Sequence, residues 1–434
     1  MKQLTDITTP FSDIAVNNTI PGQELDWLKT LREQARAQFQ RHGLPSKKVE
    51  DWKYTSLWAL SQETFTHEAQ ASQLNETRCS EVALLESAYR LVIVDGQFNA
   101  ELSRIDDLEP GLTLLPLSQA LSMSEAVLNQ QIDIEKPGLN ALNTMLMNEG
   151  AYIQVKAGSN ITKPIELLVI NTGETEKLAT HLRHVIDLAK DADLTIVEHY
   201  ASLNDESVGL TDVISEVNLA DNARLNHFKL QHESLSHYHI ATLAGKQAST
   251  STWHTNNISL GAKLARNDIH SQLLGEQAHV TMDGMYLVTG KQHVDNHTRI
   301  DHAVPNTTSE EIYKGVLDGD SHAVFNGKVI VHKDAQKTDA NQSNRNLLLS
   351  RTCEIDTKPE MEIYADDVKC GHGSTVGQLD EQQIFFLRSR GLDETSARSL
   401  LTYAFAVEVL QRIADLPIRQ ALSNVIETRL PRGV

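Results

Sequence analysis

Between Ala151 and Leu379, runs of four to seven residues alternate apolar and polar side chains with a period of two. Tyr152-Ile153-Gln154-Val155, Ile165-Glu166-Leu167-Leu168-Val169-Ile170 and Leu194-Thr195-Ile196-Val197-Glu198-His199 are examples. That period sends successive side chains to opposite faces of a strand, and the 3.6-residue period of a helix is missing across this stretch. The polar turns between runs place a small residue just before the next run, at Ala192, Ala223, Ala248, Ala278 and Ala323. The first three steps are each close to thirty residues and the last is longer, with room for a degenerate coil. A β-sandwich also offers many short strands but predicts no recurring corner. A corner at this spacing predicts a β-solenoid, in which each coil satisfies the backbone of the next and buries its inward side chains.

The flanks follow other rules. Over residues 22–40, Leu25, Leu28, Leu31 and Ala35 recur at steps of three and four, predicting an amphipathic helix that Gly43 and Pro45 end. In the linker Glu50-Asp51-Trp52-Lys53-Tyr54-Thr55, Trp52 and Tyr54 have the surface to stack on a flat ligand. Aromatics in such a linker more often serve packing, so they are read as pinning the helical region to the rest. Leu91-Val92-Ile93-Val94 before Asp95-Gly96 is a short strand meeting a turn, and residues 122–130 and 139–147 have a helical pattern. Past Leu379, residues 381–390 form a short helix stopped at Gly391. Asp393 is placed to cap a second, whose stripe is Ala397, Leu400, Leu401, Ala404, Phe405 and Glu408. Pro417 opens a third, with Leu422, Val425 and Ile426 on one side. The expected organisation is a helical region over 1–85, a mixed α/β segment over 86–150, a solenoid over 151–379 and a helical region over 380–434.

Charge narrows the chemistry. Among 434 residues, 39 Lys and Arg face 58 Asp and Glu, a net charge of −19. That balance argues against gripping a nucleic-acid backbone or an anionic membrane surface. The three cysteines, Cys79, Cys353 and Cys370, include no C-x-x-C pair, as expected of reduced thiols in the cytoplasm. The first residues have no signal-peptide core, and no run is long and apolar enough to cross a bilayer. The sequence contains no phosphate loop, no G-x-S-x-G elbow, no H-E-x-x-H and no dinucleotide fingerprint after a strand.

Three features remain. The eighteen histidines are densest at His227, His232, His237 and His239, and a homomeric metal-binding protein using His237 and His239 is one reading. Asp366 and Asp367 are adjacent and so point to opposite faces of a strand; they suit a turn better than the paired carboxylates of a carbohydrate-active β-helix enzyme. The sharpest feature is Tyr364-Ala365-Asp366-Asp367-Val368-Lys369-Cys370-Gly371-His372-Gly373. If extended, it puts Cys370 and His372 on one face, about 6.6 Å apart along the strand. Lys369 and a protonated His372 are expected to lower the thiol pKa. Gly371 and Gly373 leave room for another backbone or an inorganic group. One thiolate and one imidazole make half of the roughly four ligands an iron–sulfur cluster takes. If the pair is a ligand set, a second chain must supply the rest, at a subunit interface.

The segment from Ile355 through Gly373 closely resembles the SufD family, subunits of the SUF iron–sulfur cluster assembly scaffold. The resemblance continues through Val376-Gly377, Gln383-Ile384-Phe385-Phe386-Leu387-Arg388-Ser389-Arg390-Gly391 and Tyr403-Ala404-Phe405-Ala406. Upstream it takes in Ala323-Val324-Phe325-Asn326-Gly327, Lys337-Thr338-Asp339 and the linker at Glu50, and so covers most of the chain. The family usually has serine where Gly371 stands. The paralogous SufB shares the core, is longer and differs around this position. The resemblance implies a right-handed parallel β-helix with helical ends, in a heteromeric complex with a SufB-like paralogue and a SufC-like ATPase. It implies that His372, with Cys370, lies near the interface where a nascent cluster or iron is held transiently and shared with the partner. It gives this subunit a non-catalytic role in iron acquisition, and it makes the helices over 380–434 the ATPase dock, with Arg398, Leu401, Tyr403 and Phe405 as candidates. A homodimer in isolation and a reduced flavin on the complex also fit the family; no residue here assigns a flavin site.

Overall fold

The computed structural model describes residue 11 and residues 20–430; the remainder of the two terminal regions, 1–10, 12–19 and 431–434, lies outside the described residues. Successive strands fall alternately into two sheets. One runs from Gln97–Phe98 and Tyr89–Val94 through Ile165–Asn171, Asp193–Ser202, Arg224–His232, Thr252–Ser259, His279–Val288, Thr308–Leu317 and Asp339–Leu348 to Lys369–Gly377. The other runs from Leu112–Pro116 through Glu149–Val155, Leu178–Leu188, Gly209–Leu219, Tyr238–Gln247, Leu264–Leu273, His293–His302 and His322–Val331 to Glu354–Ile363. From Glu149 onward every strand pairs in parallel with the strand one coil away. The result is a parallel β-solenoid of about eight turns with helices at both ends of the chain.

Its corners explain the sequence period. Before six successive strands of the first sheet, from Asp193–Ser202 to Asp339–Leu348, stands a residue with left-handed φ: Asp191, Asn222, Thr250, Gln277, Asn306 and Lys337. A fully buried small residue follows it: Ala192, Ala223, Ser251, Ala278, Thr307 and Thr338. Left-handed backbone costs a non-glycine residue about 1–2 kcal/mol. Stacking offsets it, because the carbonyl of each small residue accepts the next coil's N–H, as in Arg224 N to Ala192 O at 2.8 Å and Lys369 N to Thr338 O at 2.8 Å. The expected series therefore needs two corrections. The counterpart of Ala223 and Ala278 is Ser251, not Ala248, as the register of Thr252 with Arg224 and His279 requires. Ala323 belongs to the opposite sheet, paired with Val294, so the long last step was a coil and a half rather than a degenerate coil. Size, not alanine, is what the corner selects.

The mixed segment supplies the closed end. Tyr89–Val94 is already a parallel member of the first sheet. The antiparallel strands Gln97–Phe98 and Leu112–Pro116 then finish the two edges. Residues 122–130 do not form the expected helix beyond the single turn Leu121–Met123. The Glu216 carboxylate takes the N–H groups of Asn129, Gln130 and Gln131 at 2.6, 2.8 and 3.3 Å, providing partners that a helix would otherwise supply. Asn140–Leu146 is helical.

Helices cover the outer faces. Asp26–His42 buries Leu28, Ala35 and Phe39 and stops at Gly43, whose φ of 61° only glycine adopts readily. The linker and the helix Asn140–Leu146 bury Trp52, Leu57, Leu60, Leu142 and Met145 against Leu210, Tyr238, Ile240 and Leu264 of the second sheet. On the first sheet, Phe228, Leu230, Ile258, Met285, Leu287 and Val316 meet Ala406, Leu410, Ile413, Ile418, Leu422 and Ile426 from the C-terminal helices. Glu394–Val407 is capped by the Asp393 carboxylate, which accepts from Ser396 N, and Asp415 and Pro417 open Leu416–Arg429. The buried face of Glu394–Val407 is Ala397, Thr402 and Ala406, whereas Leu400 of the expected stripe is exposed. No helix among the described residues is long and apolar enough to cross a membrane.

Candidate functional site: the open end of the solenoid

The far end of the solenoid is uncovered. Glu354–Ile363 and Lys369–Gly377 are the last strands of their sheets, each paired on one side only among the described residues. They span ten and nine residues. Backbone donors and acceptors on such long edges are templates for another strand. Pro359 and the charged Lys358, Glu360, Glu362 and Lys369 temper the hazard, while Ile363, Tyr364 and Val376 expose apolar surface beside it. Asp366 and Asp367 form the turn between the two strands, with Asp367 ion-paired to Lys337 and its carbonyl accepting from Lys337 N.

Cys370 and His372 lie on this edge. Lys369–Gly377 is extended, so the two residues share a face, with Cys370 opposite Ala340 and His372 opposite Gln342 on the preceding coil. Cys370 is half-buried and packs on the apolar core, whereas His372 is exposed. The expected depression of the thiol pKa does not occur. Burial pushes the Cys370 thiol up, and Asp339 adds to the rise against a backbone hydrogen bond from Ala340. Lys369 has the opposite parity and points its ammonium away from that face. Gly371 and Gly373 border open space: a Cβ at Gly373 would meet nothing within 4 Å, and one at Gly371 only Asn341 Oδ1 at 3.8 Å.

Behind His372, its ladder runs inward through Gln342 to Glu311. Gln342 Nε2 donates to Glu311 Oε2 at 2.6 Å, and both side chains are buried. Burial pushes the Glu311 carboxyl up to about 7 from its ordinary 4.5. Between those values the unfolded chain is ionised while the folded one still holds its proton, so stability falls as pH rises through the window. At about 1.4 kcal/mol per unit the loss is up to about 3 kcal/mol. In urea unfolding, E311Q is expected to gain on the parent progressively from about pH 5 to about pH 8. A pH-independent difference between the two would show that Glu311 does not titrate there.

The other sequence candidates are placed elsewhere. His237 and His239 are fully buried and close on one carboxylate, Glu233, at 3.4 and 2.8 Å. His227 meets Glu198 at 3.0 Å, and His232 stacks on His199. These are core pairs, and among the described residues none belongs to a group of three or more side chains able to share a metal ion. Trp52 is buried and lies against the Arg266 guanidinium at 3.8 Å, a packing role as expected. Tyr403 and Phe405 rest on the helix–sheet core, with Lys314 over the Phe405 ring, while Arg398 ion-pairs with Glu381 at 3.7 Å and Leu401 is half-buried. The exposed large apolar side chains of these helices are instead Phe385 (74 % exposed), Phe386, Leu400 and Leu416. The adjacent Phe385-Phe386 on a short amphipathic helix was the available signal.

Comparison with known proteins agrees with the fold. Residues 169–405 match the family model described as SUF system FeS cluster assembly, SufBD core domain, and residues 12–167 match the SufBD protein N-terminal region. The chain is 34 % identical to the iron–sulfur cluster assembly protein SufD of Escherichia coli strain K12, over 92 % of this chain and 93 % of that protein. It is 30 % identical to a SufBD family iron–sulfur cluster assembly protein of Synechocystis, over 98 % and 96 %. With the SufD of Bacillus subtilis it shares 25 % identity over 94 % and 95 %.

Proposed function

The chain belongs to the SufBD family of iron–sulfur cluster assembly proteins, and from that membership we propose that it is a non-catalytic scaffold subunit completed by a second, SufB-like chain. The observation that carries this reading is an exposed imidazole and a half-buried thiol on one face of an unpaired edge strand. His372 and Cys370 stand where an added strand would bring further donors within reach of the same metal. The iron or nascent cluster is cargo, held between the chains and passed on. This chain's contribution is to present an imidazole on an edge open to backbone pairing and to keep the thiol protonated until metal displaces its proton.

In the same reading a SufC-like ATPase docks on the C-terminal helices, at Phe385, Phe386 and Leu400 with Arg398 and Leu401 beside them. These helices are tied to the solenoid by Lys314 with Glu408 and by Arg412 with Asp283 and Glu310 at 2.8 and 2.9 Å. Movement of the ATPase therefore reaches Thr308–Leu317, two strands from the edge. For a reduced flavin on the assembled complex, no residue of this chain assigns a site. Co-expression with the chromosomal neighbours and purification through a tag on this chain tests the reading. A stable complex containing a second SufBD chain and an ATPase is expected; recovery of this chain alone, or only as its own dimer, refutes it.

A further inference from the structure

A second group of donor side chains lies on the outer face of the last two strands of the second sheet, two of the three on its edge strand Glu354–Ile363. His322 and Glu354 are directly opposite each other in neighbouring strands, and Asp356 follows two residues on, on the same face. Outward positions on adjacent parallel strands bring such side chains together. His322 Nε2 is 2.8 Å from Asp356 Oδ2, and one donor atom from each of the three residues lies within 4.8 Å of the others. Among the described residues no other such group of three exists. The His293 ring packs edge-on against His322 at 4.8 Å between centroids and is itself held by Thr55 Oγ1 at 2.8 Å.

These side chains line a cavity of about 530 Å³ between the solenoid and the N-terminal linker. Lys47, Lys263 and Lys291 line it too, yet none makes an ion pair with Glu354 or Asp356. The Glu354 carboxylate has neither hydrogen-bond nor ion-pair partner among the described residues, although three ammonium groups share its cavity. The Glu354 side chain is exposed, and among the described residues no protein cation competes with a metal ion for its oxygens.

We propose that His322, Glu354 and Asp356 bind a divalent transition-metal ion, leaving its remaining coordination positions open to the cavity. At metal–ligand distances of about 2.0–2.2 Å, neighbouring donors sit roughly 3 Å apart, close to the existing His322–Asp356 spacing. The donor set of one imidazole and two carboxylates suits iron(II), cobalt(II), manganese(II) or zinc(II). Three ammonium groups line the same cavity and oppose any cation there, so ions that bind chiefly through charge and oxygen gain least. Inner-sphere nitrogen ligation then decides selectivity against magnesium and calcium.

The test is titration of the metal-free full-length chain with Co²⁺, followed by equilibrium binding and by visible absorption. One Co²⁺ per chain is expected, undisturbed by excess Mg²⁺ and retained in the His372→Ala and Cys370→Ala variants. In the double variant Glu354→Gln, Asp356→Asn the affinity is expected to fall by at least about tenfold. Those side chains are solvent-accessible and the amides isosteric, so the fold should persist; His322→Gln repeats the test should the double variant fail to fold. Unchanged Co²⁺ binding in the variants that remove these donors, loss of the ion with His372→Ala, or ready displacement by Mg²⁺ overturns the proposal.

Discussion

His372→Ala is expected to abolish cluster supply in cells that depend on this pathway, while leaving the chain folded and its complex assembled. The imidazole is exposed on an edge strand and makes no hydrogen bond among the described residues, so its loss belongs with surface substitutions of about 0.5 kcal/mol or less. Removing a ligand costs far more than removing an outer-shell partner, which already costs about 10–100-fold in metal affinity. Cluster-enzyme activity should therefore fall by more than tenfold at unchanged protein level. Cys370→Ala should be milder: its thiol is half-buried, packs on the core and is pushed toward the protonated form, so the imidazole is the readier donor. The measurement is activity of cluster-dependent enzymes alongside recovery of the complex through a tag. Full activity in His372→Ala would remove the ligand role. Loss of the complex itself would move the residue's contribution from chemistry to assembly.

How far this could be read from residues alone depends on which signals are local. The solenoid was legible because its corner repeats a strict demand for a small buried residue after a left-handed one. Its phase was not, because Ser251, Thr307 and Thr338 satisfy that demand without being alanine. The same-face placement of Cys370 and His372 follows from strand parity and needed no structure. The thiol's pKa did need one: neighbours in sequence sit on the opposite face of a strand, so Lys369 is near in number and distant in field. His322, Glu354 and Asp356 went unnoticed because 32 residues separate His322 from the register position of Glu354, and only the coil-to-coil ladder makes them neighbours. The helix expected over 122–130 failed for a comparable reason, since the carboxylate that captures its backbone comes from Glu216.

Arg266→Ala is expected to destabilise the protein by about 3–5 kcal/mol, the usual cost of breaking a buried ion pair from one side. Arg266 is 1 % exposed. It donates to Asp295 at 2.6 Å, to Asp268 at 2.9 and 2.8 Å and to the carbonyl of Asp51 at 2.8 Å, with its plane over the Trp52 ring. It thus ties two coils to the linker that carries the N-terminal helical region. Without it Asp295 stays buried with His297 at 3.0 Å and Thr55 at 2.5 Å as its remaining side-chain partners among the described residues. Arg266→Lys should recover less than half of the loss, since a point charge replaces neither the forked donors nor the flat face. The guanidinium beside Asp295 also holds that carboxyl below its ordinary 3.8. A depressed carboxylate contributes stability above its unfolded value and loses it as pH falls through the folded one, so the variant should also unfold at a less acidic pH. Urea unfolding followed by tryptophan fluorescence gives the free energy, and limited proteolysis shows whether the linker comes loose first. A change below about 1 kcal/mol, with the linker still protected, would mean that apolar packing of Trp52, Leu57 and Leu60 holds that region unaided.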